Sequence, residues 1–92
     1  MSLRFHEAPR AESHEAAAWY EAREEGLGID FVQKVKDAVG KALADSRKTR
    51  KRAPRGPRTV KLERFPYRLV YIVRGAETEV VAVMHLARDP DY

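Results

Sequence analysis

The sequence predicts an α+β domain with the element order β-α-α-β-β-β, in which a helical hairpin packs on one face of an antiparallel sheet. Three observations lead to this prediction. Apolar residues recur at helical spacing in the first half of the chain, and they alternate with polar residues in the last third. The connections between these segments are short, which favours antiparallel neighbours. With 92 residues the chain has the length of one domain, and we expect residues 1–92 to form it.

The first elements are a short strand and an alanine-rich helix. Residues 3–6 form the expected starting strand. Pro9 occupies a position typical of a helix start, and residues 10–25 contain neither glycine nor proline. Gly26 then provides a natural end for this helix.

The second helix follows Leu27-Gly28 and is predicted by an apolar stripe. Its apolar residues recur every three or four positions: Phe31, Val35, Ala38, Val39, Ala42 and Leu43. Asp30 near its start and Lys41 nearer its end agree with the preference of the helix dipole. Residues 45–58 are polar, basic and interrupted by proline and glycine, so we expect a loop there.

Three strands are expected after this loop. Val60 and Leu62 alternate with polar neighbours, residues 68–74 also alternate, and Phe65-Pro66-Tyr67 forms the turn between the two segments. Residues 78–86 are almost continuously apolar, which predicts a central strand covered on both faces or nearly so. The expected core joins the two layers and consists of Phe31, Val35, Val39, Leu43, Leu69, Tyr71, Val81 and Val83.

Basic residues are concentrated in the second half of the chain. Residues 1–46 carry a net charge of −3 and residues 47–92 one of +7, within a total of +4. Such asymmetry predicts a polyanion or an acidic protein as partner, although a solvated basic loop has the same composition. The candidate residues for binding a target or a nucleic acid are Arg47, Lys48, Arg50, Lys51, Arg52, Arg55, Arg58 and Lys61.

Several kinds of site are excluded or not expected. The chain has no cysteine, which excludes disulfides and thiolate metal sites. Its three histidines lie on separate elements without ligand spacing, and Gly26-Leu27-Gly28 is too short for a phosphate loop. We therefore expect neither a metal nor another cofactor. No apolar run approaches the roughly 20 residues of a membrane span. Since residues 1–6 also lack the features of a signal peptide, we expect a cytoplasmic protein.

Four groups of residues, taken in order, are similar to a known family. They are Trp19-Tyr20-Glu21; Gly26-Leu27-Gly28 leading to Phe31; Arg58 with Phe65-Pro66-Tyr67-Arg68 and Tyr71; and Ala82-Val83 with His85 and Arg88-Asp89-Pro90. In this order and spacing the chain resembles toxins of the RelE/ParE superfamily, and its ParE-like branch in particular. The resemblance covers nearly the whole chain and implies the same fold, with the first strand completing the sheet. It also implies the toxin of a type II toxin–antitoxin pair, linked to plasmid stabilisation and stress responses, with an acidic antitoxin as partner.

Two activities occur in this superfamily, and the fold does not choose between them. ParE-like members inhibit DNA gyrase by binding it, whereas RelE-like members cut messenger RNA on the ribosome. The ParE-like signatures favour a gyrase inhibitor. A ribosome-dependent mRNA endoribonuclease, or mRNA interferase, is the alternative, so whether the chain is an enzyme stays open. A non-catalytic nucleic-acid-binding module is a third interpretation, which the basic loop supports.

If the chain is a nuclease, its catalytic candidates are Arg68, His85, Arg88 and Tyr92. The arginines would stabilise charge on phosphorus, the histidine has a suitable intrinsic pKa, and the tyrosine would stack on a base or donate a proton. We expect Arg68, Arg88 and His85 to converge on the open side of the sheet. The set is incomplete, because Leu86-Ala87 stands where the nuclease branch carries another basic residue, and Lys61 is a single strand lysine.

These candidates and the aromatic motif also have structural interpretations. Arg68 would form a cross-strand ion pair with Glu63 or Glu79. His85 would be a hydrogen-bonded histidine at a strand end, and Trp19-Tyr20 would pack in the core or at its rim.

Overall fold

The computed structural model describes residues 2–49 and 56–88, excluding the side chains of residues 47–49 and 88. Its elements are β1 (Ser2–Phe5), α1 (Glu7–Arg23), α2 (Leu27–Thr49), β2 (Arg58–Lys61), β3 (Tyr67–Arg74) and β4 (Glu77–His85), followed by a 3-10 turn at Leu86–Arg88. This order confirms the predicted α+β architecture. Some predicted site residues lie outside the described part of the chain: Arg50, Lys51, Arg52, Arg55 and Tyr92, together with the side chains of Arg47, Lys48 and Arg88.

The four strands form one sheet in the order β1-β4-β3-β2, with the two helices packed against it. β2, β3 and β4 are antiparallel neighbours, as predicted. β1 instead runs parallel to β4, with Ser2 opposite Glu77 and Phe5 opposite Val80, so the sheet is mixed and not wholly antiparallel. Parallel pairing needs a long crossover connection, and the two helices with the strands that follow them supply it.

The helical hairpin differs from the prediction at two of its ends. α1 begins before Pro9, whose missing N–H breaks no hydrogen bond in the first helical turn. α2 continues to Thr49, into the segment expected to be a loop. Ser46 in this segment is fully buried, and its hydroxyl donates to the Ala42 carbonyl at 2.8 Å. Ser46 therefore faces the protein as part of the helix.

The core lies between the hairpin and the sheet. Of the predicted core residues, Phe31, Val35, Leu69, Tyr71 and Val83 are buried, whereas Val39, Leu43 and Val81 are half-buried. The prediction for Val81 is wrong because β4 contains a bulge: Tyr71 pairs with Val80 and Val70 with Ala82, which leaves Val81 as the extra residue. Val80 takes the core position instead and is fully buried. In a continuous apolar run, alternation cannot locate such an insertion.

Candidate functional site

Two of the sequence motifs form one structural unit at the hairpin connection. The Glu21 carboxylate accepts hydrogen bonds from the N–H groups of Gly26 and Gly28, both at 2.9 Å. These groups lie at the beginning of α2, where helical partners are missing and negative charge is favourable. Gly28 is also where the helices touch, since a Cβ there would lie 2.6 Å from the Ala17 carbonyl oxygen. Trp19-Tyr20-Glu21 and Gly26-Leu27-Gly28 therefore act together to fix the hairpin.

An aromatic cluster joins this hairpin to the sheet. The Tyr20 ring stacks on Phe31 at a centroid distance of 5.4 Å and meets Phe65 edge-on at 4.8 Å. Phe31 also contacts the Tyr67 ring, at 5.1 Å. The Phe65-Pro66-Tyr67 motif thus supplies two rings that pack under the hairpin, which confirms the structural interpretation of Tyr20.

Arg68 and His85, two of the predicted catalytic residues, lie on opposite faces of the sheet. Leu69 is fully buried under the helices, so its neighbour Arg68 points to the other face, where Met84 is its cross-strand neighbour. His85 is opposite Tyr67 and contacts that ring on the helix side, at a centroid distance of 5.0 Å. The expected convergence of Arg68 and His85 is therefore wrong. His85 follows Met84, the cross-strand partner of Arg68. Successive side chains of a strand point to opposite faces of the sheet, so His85 and Arg68 are separated.

The His85 imidazole is hydrogen-bonded at one nitrogen. Its Nδ1 accepts from the Ala87 N–H at 3.0 Å. In the neutral ring the proton is therefore assigned to Nε2. This bond and the contact with Tyr67 agree with the structural interpretation, a hydrogen-bonded histidine at a strand end.

Glu63 and Glu79, the two carboxylates expected to pair with Arg68, each contact other basic residues. Glu63 pairs with Lys41 at 3.2 Å. Glu79 is buried, and its carboxylate bonds His6 Nε2 at 2.8 Å and Arg74 Nε at 3.1 Å. The hydrogen bond with His6 is the main cause that holds the pKa of Glu79 below its ordinary value; burial opposes the shift, and the Arg74 charge adds to it. This cluster ties β1 to β3 and β4.

Arg58, a predicted target-binding residue, is held inside the protein. Its Nη1 donates to Asp45 Oδ2 at 2.6 Å, and the Tyr71 hydroxyl donates to the same oxygen at 2.7 Å. The arginine side chain is only 13% exposed. Burial first, and then the Asp45 carboxylate, raise the pKa of Tyr71 to about 12. These three side chains join the last turns of α2 to β2 and β3, so Arg58 has a structural role.

Lys61 and Arg68 are cross-strand neighbours on the face of the sheet opposite the helices, here called the outer face. The apolar residues of this face are all half-buried: Val70, Ile72, Ala82 and Met84. Both described helices pack on the other face, against Leu69 and its neighbours. The outer face therefore presents two adjacent cationic positions beside an apolar strip.

A groove of about 460 Å³ lies between β1 and the helical hairpin. Its apolar lining residues are Leu3, Phe5, Val32, Val35 and Val39. Leu3 and Val32 are exposed. The ionisable residues along it are Arg10, His14 and Lys36, and none of the residues lining it is acidic. We call it the basic groove.

A second cleft, of about 390 Å³, opens between α1 and the end of β4. Its lining consists of Glu12, Glu15, Ala16, Trp19, Tyr20, Tyr67, Val83 and His85, and we call it the aromatic cleft. Trp19 is 52% exposed, so it lies at the rim and not in the core. The Arg23 guanidinium lies over the Trp19 ring, 4.0 Å from its centroid.

Comparisons with known proteins, one of sequence and one of structure, agree with these motifs and this fold. A family model described as the ParE toxin of the type II toxin–antitoxin system, parDE, matches residues 3–90. The chain belongs to the ParE toxin family. A chain of the chromosomal ParDE toxin–antitoxin system from P. aeruginosa is similar to this ParE-family chain in fold, with a TM-score of 0.66 at 22% identity. The similarity covers 94% of this chain and 96% of that one. Among curated protein sequences, none matches significantly.

Two further properties concern the described part of this ParE-family chain. No three histidine or carboxylate side chains within it are grouped so that they could hold a metal ion. No helix among the described residues is long and apolar enough to cross a membrane.

Sequence reasoning missed the basic groove and the aromatic cleft of this ParE-family chain. One signal for the groove was present, because Val32 is apolar and exposed but lies beside the buried stripe of α2. No comparable signal marks the aromatic cleft, since α1 and the end of β4 meet only after folding. Glu12 and Glu15 therefore read as ordinary solvated residues of an amphipathic helix.

Proposed function

We propose that this ParE-family chain is a toxin that acts in the cytoplasm and, when free of its antitoxin, inhibits DNA gyrase by binding it. The family match over residues 3–90 supports the toxin–antitoxin assignment. The observation that supports binding over cleavage is the placement of Arg68 and His85 on opposite faces of the sheet. We assign the target to the outer face, where Lys61 and Arg68 lie side by side.

Cleavage of RNA needs a proton carrier and a charge-stabilising group at the same phosphate. Among the described residues, His85 is the candidate carrier and Arg68 the candidate cation, and the sheet itself separates them. The Nδ1 of His85 is also bonded to the Ala87 N–H. The binding function needs no such convergence, because an acidic protein surface is met by charge and apolar contact alone.

A ribosome-dependent mRNA endoribonuclease is the second candidate function. The adjacent Lys61 and Arg68 favour it, since neighbouring cations on an open face suit a phosphate backbone. The same two cations suit an acidic protein surface, so an experiment has to separate the two functions.

Purified components separate them. In a gyrase supercoiling assay, the double variant Lys61→Ala/Arg68→Ala is expected to raise the inhibitory concentration about tenfold and to reduce its salt dependence. The matched control is Lys41→Ala, an exposed lysine on α2, and it should inhibit like the parent protein. His85→Ala should also inhibit normally. Message cleaved at discrete codons on purified ribosomes, and spared by His85→Ala, would instead establish the endoribonuclease.

The basic groove is the proposed antitoxin site. Exposed Leu3 and Val32 suit the apolar face of an amphipathic segment, and Arg10 and Lys36 suit its acidic residues. The thin core fits a partner that folds over the hairpin, and the basic second half of the chain suits further acidic residues of that partner beyond the groove.

Co-expression with the neighbouring gene tests this site. Lys36→Glu is expected to weaken the complex about tenfold, because it places a carboxylate opposite an acidic partner. Lys41→Glu is the same substitution on the same helix outside the groove, and it should have no effect. Equal effects of the two variants would contradict the groove assignment. Recovery of no small acidic protein would contradict the toxin–antitoxin assignment itself.

A further inference from the structure

We propose that the aromatic cleft binds the guanidinium group of an arginine side chain presented by a protein partner. This inference goes beyond the proposed function, in which the antitoxin takes the basic groove and the target takes the outer face. The proposal is based on three features: the aromatic wall of the cleft, two carboxylates in its lining, and the Arg23 guanidinium that lies over Trp19 at its rim.

The wall of the cleft is a chain of contacting rings. Trp19 meets Tyr20 at a centroid distance of 5.0 Å and an angle of 90°. Tyr20 and Tyr67 are 6.3 Å apart and inclined by 67°, and Tyr67 meets His85 at 5.0 Å. All four of these rings line the cleft. The negative face of an aromatic ring attracts a cation, most strongly for tryptophan and then tyrosine.

Two carboxylates complete the lining. Glu12 and Glu15 are exposed residues of α1, and their spacing places them on the same helix face as Ala16 and Trp19. None of the described ion pairs involves either carboxylate. Apart from His85, the cleft has no basic lining residue. A cation entering the cleft therefore meets an aromatic wall and two carboxylates that take part in none of the described ion pairs.

Arginine fits this cleft better than lysine does. Its guanidinium is planar, weakly hydrated and able to stack on a ring while its N–H groups bind carboxylates in a fork. The protein itself contains one such contact, because the Arg23 guanidinium lies over the Trp19 ring from outside the lining of the cleft. The lining also differs in sign from the basic groove, so the two surfaces select oppositely charged segments of a partner.

Fluorescence of the full chain tests the proposal directly, because Trp19 is its one tryptophan. The probe is N-acetyl-arginine N′-methylamide, and the matched control is the citrulline analogue, which has the same shape without the charge. The arginine probe should change the emission saturably. We expect a dissociation constant on the order of 1–10 mM, as for one cation–π contact with an ion pair. The citrulline analogue should bind at least about tenfold more weakly.

Charge-neutralising variants locate the site. Glu12→Gln/Glu15→Gln should weaken binding of the arginine probe about three- to tenfold. Glu24→Gln/Glu25→Gln removes the same charge from exposed residues outside the cleft and should leave binding unchanged. In ¹H–¹⁵N and ¹H–¹³C spectra of the parent protein, the probe should shift the signals of Tyr67 and His85.

Four results would overturn the proposal. They are the absence of any saturable change with the arginine probe, equal binding of the citrulline analogue, equal binding by the two double variants, and spectral shifts confined to residues away from the cleft. Because all four glutamates are exposed, the variants should fold like the parent, and their circular dichroism provides the check. Gyrase inhibition and antitoxin binding are measured in separate assays. A failure of the proposed function can therefore be distinguished from a failure of the arginine probe to bind the cleft.

Discussion

Replacing Gly28 with alanine tests whether the hairpin depends on close approach of its two helices. The added Cβ would lie 2.6 Å from the Ala17 carbonyl oxygen and 2.9 Å from the Glu21 side chain. The nearest atom belongs to the backbone, so the helices have to separate. Overpacking of this kind costs about 1–3 kcal/mol. The better helix propensity of alanine offsets about 1 kcal/mol, which leaves a net loss of stability of up to about 2 kcal/mol.

Gly40→Ala is the matched control. It lies in the same helix, and a Cβ there would meet no atom within 4 Å. Without a clash, only the propensity remains, so this variant should gain about 0.5–1 kcal/mol. The same substitution in one helix is therefore expected to have opposite signs at the two positions.

Urea unfolding followed by circular dichroism measures both variants, with the denaturant slope checked for constancy. In thermal melts, each kcal/mol corresponds to about 4–8 °C for a domain of this size. Gly28→Ala should melt below the parent protein and Gly40→Ala above it. Equal stability of the two variants would show that the helices yield without cost at Gly28, and that the close contact does not hold the hairpin.

Three further predictions concern the sheet and its ionisable groups. Val80→Asp should cost several kcal/mol, because it buries an unpaired charge, whereas Val81→Asp at the bulge should cost clearly less; chemical denaturation of the two variants measures the difference. Tyr71→Phe removes the hydrogen bond to Asp45 and should cost about 1–2 kcal/mol. Because the pKa of Tyr71 is raised to about 12, the stability it contributes is present below pH 10 and lost as the pH rises towards 12, and ultraviolet titration of the phenols should show one that ionises late. The pKa of Glu79 is lowered, so its contribution is present above pH 4.5 and lost as the pH falls below it; Glu79→Gln should flatten this acid limb in pH-dependent melts.

The site shows how far residue types alone can mislead. Arg58 has the charge and chain position of a target-binding residue, but its guanidinium donates a hydrogen bond to Asp45 on α2. His85 is of a residue type that often carries protons in catalysis, but the strand turns it towards Tyr67 and away from Arg68. In both cases the sequence shows the residue type but not the direction of the side chain, because that direction depends on pairing with distant strands and helices.

One residue of the family motifs, Glu21, has a role that the sequence analysis did not assign. Glu21 belonged to a motif with no assigned role, and the structure gives it one as the group that binds the first N–H groups of α2. The pairing of an acid late in one helix with glycines after the turn is local in sequence. It could have been inferred from helix-capping chemistry, because the beginning of a helix needs acceptors.

By itself the sequence determined the two helices, the antiparallel meander, the charge asymmetry and the family. These properties depend on the periods of 3.6 and 2 residues, on glycine and proline at element ends, and on ordered motifs, all of which are local. Only the tertiary structure decided that β1 runs parallel to β4, that α2 continues to Thr49, and that the bulge puts Val80 into the core. It also decided that acidic and aromatic residues of α1 meet the end of β4 in one cleft. Each of these features depends on contacts between residues far apart in the chain, where packing and hydrogen bonding override local preference.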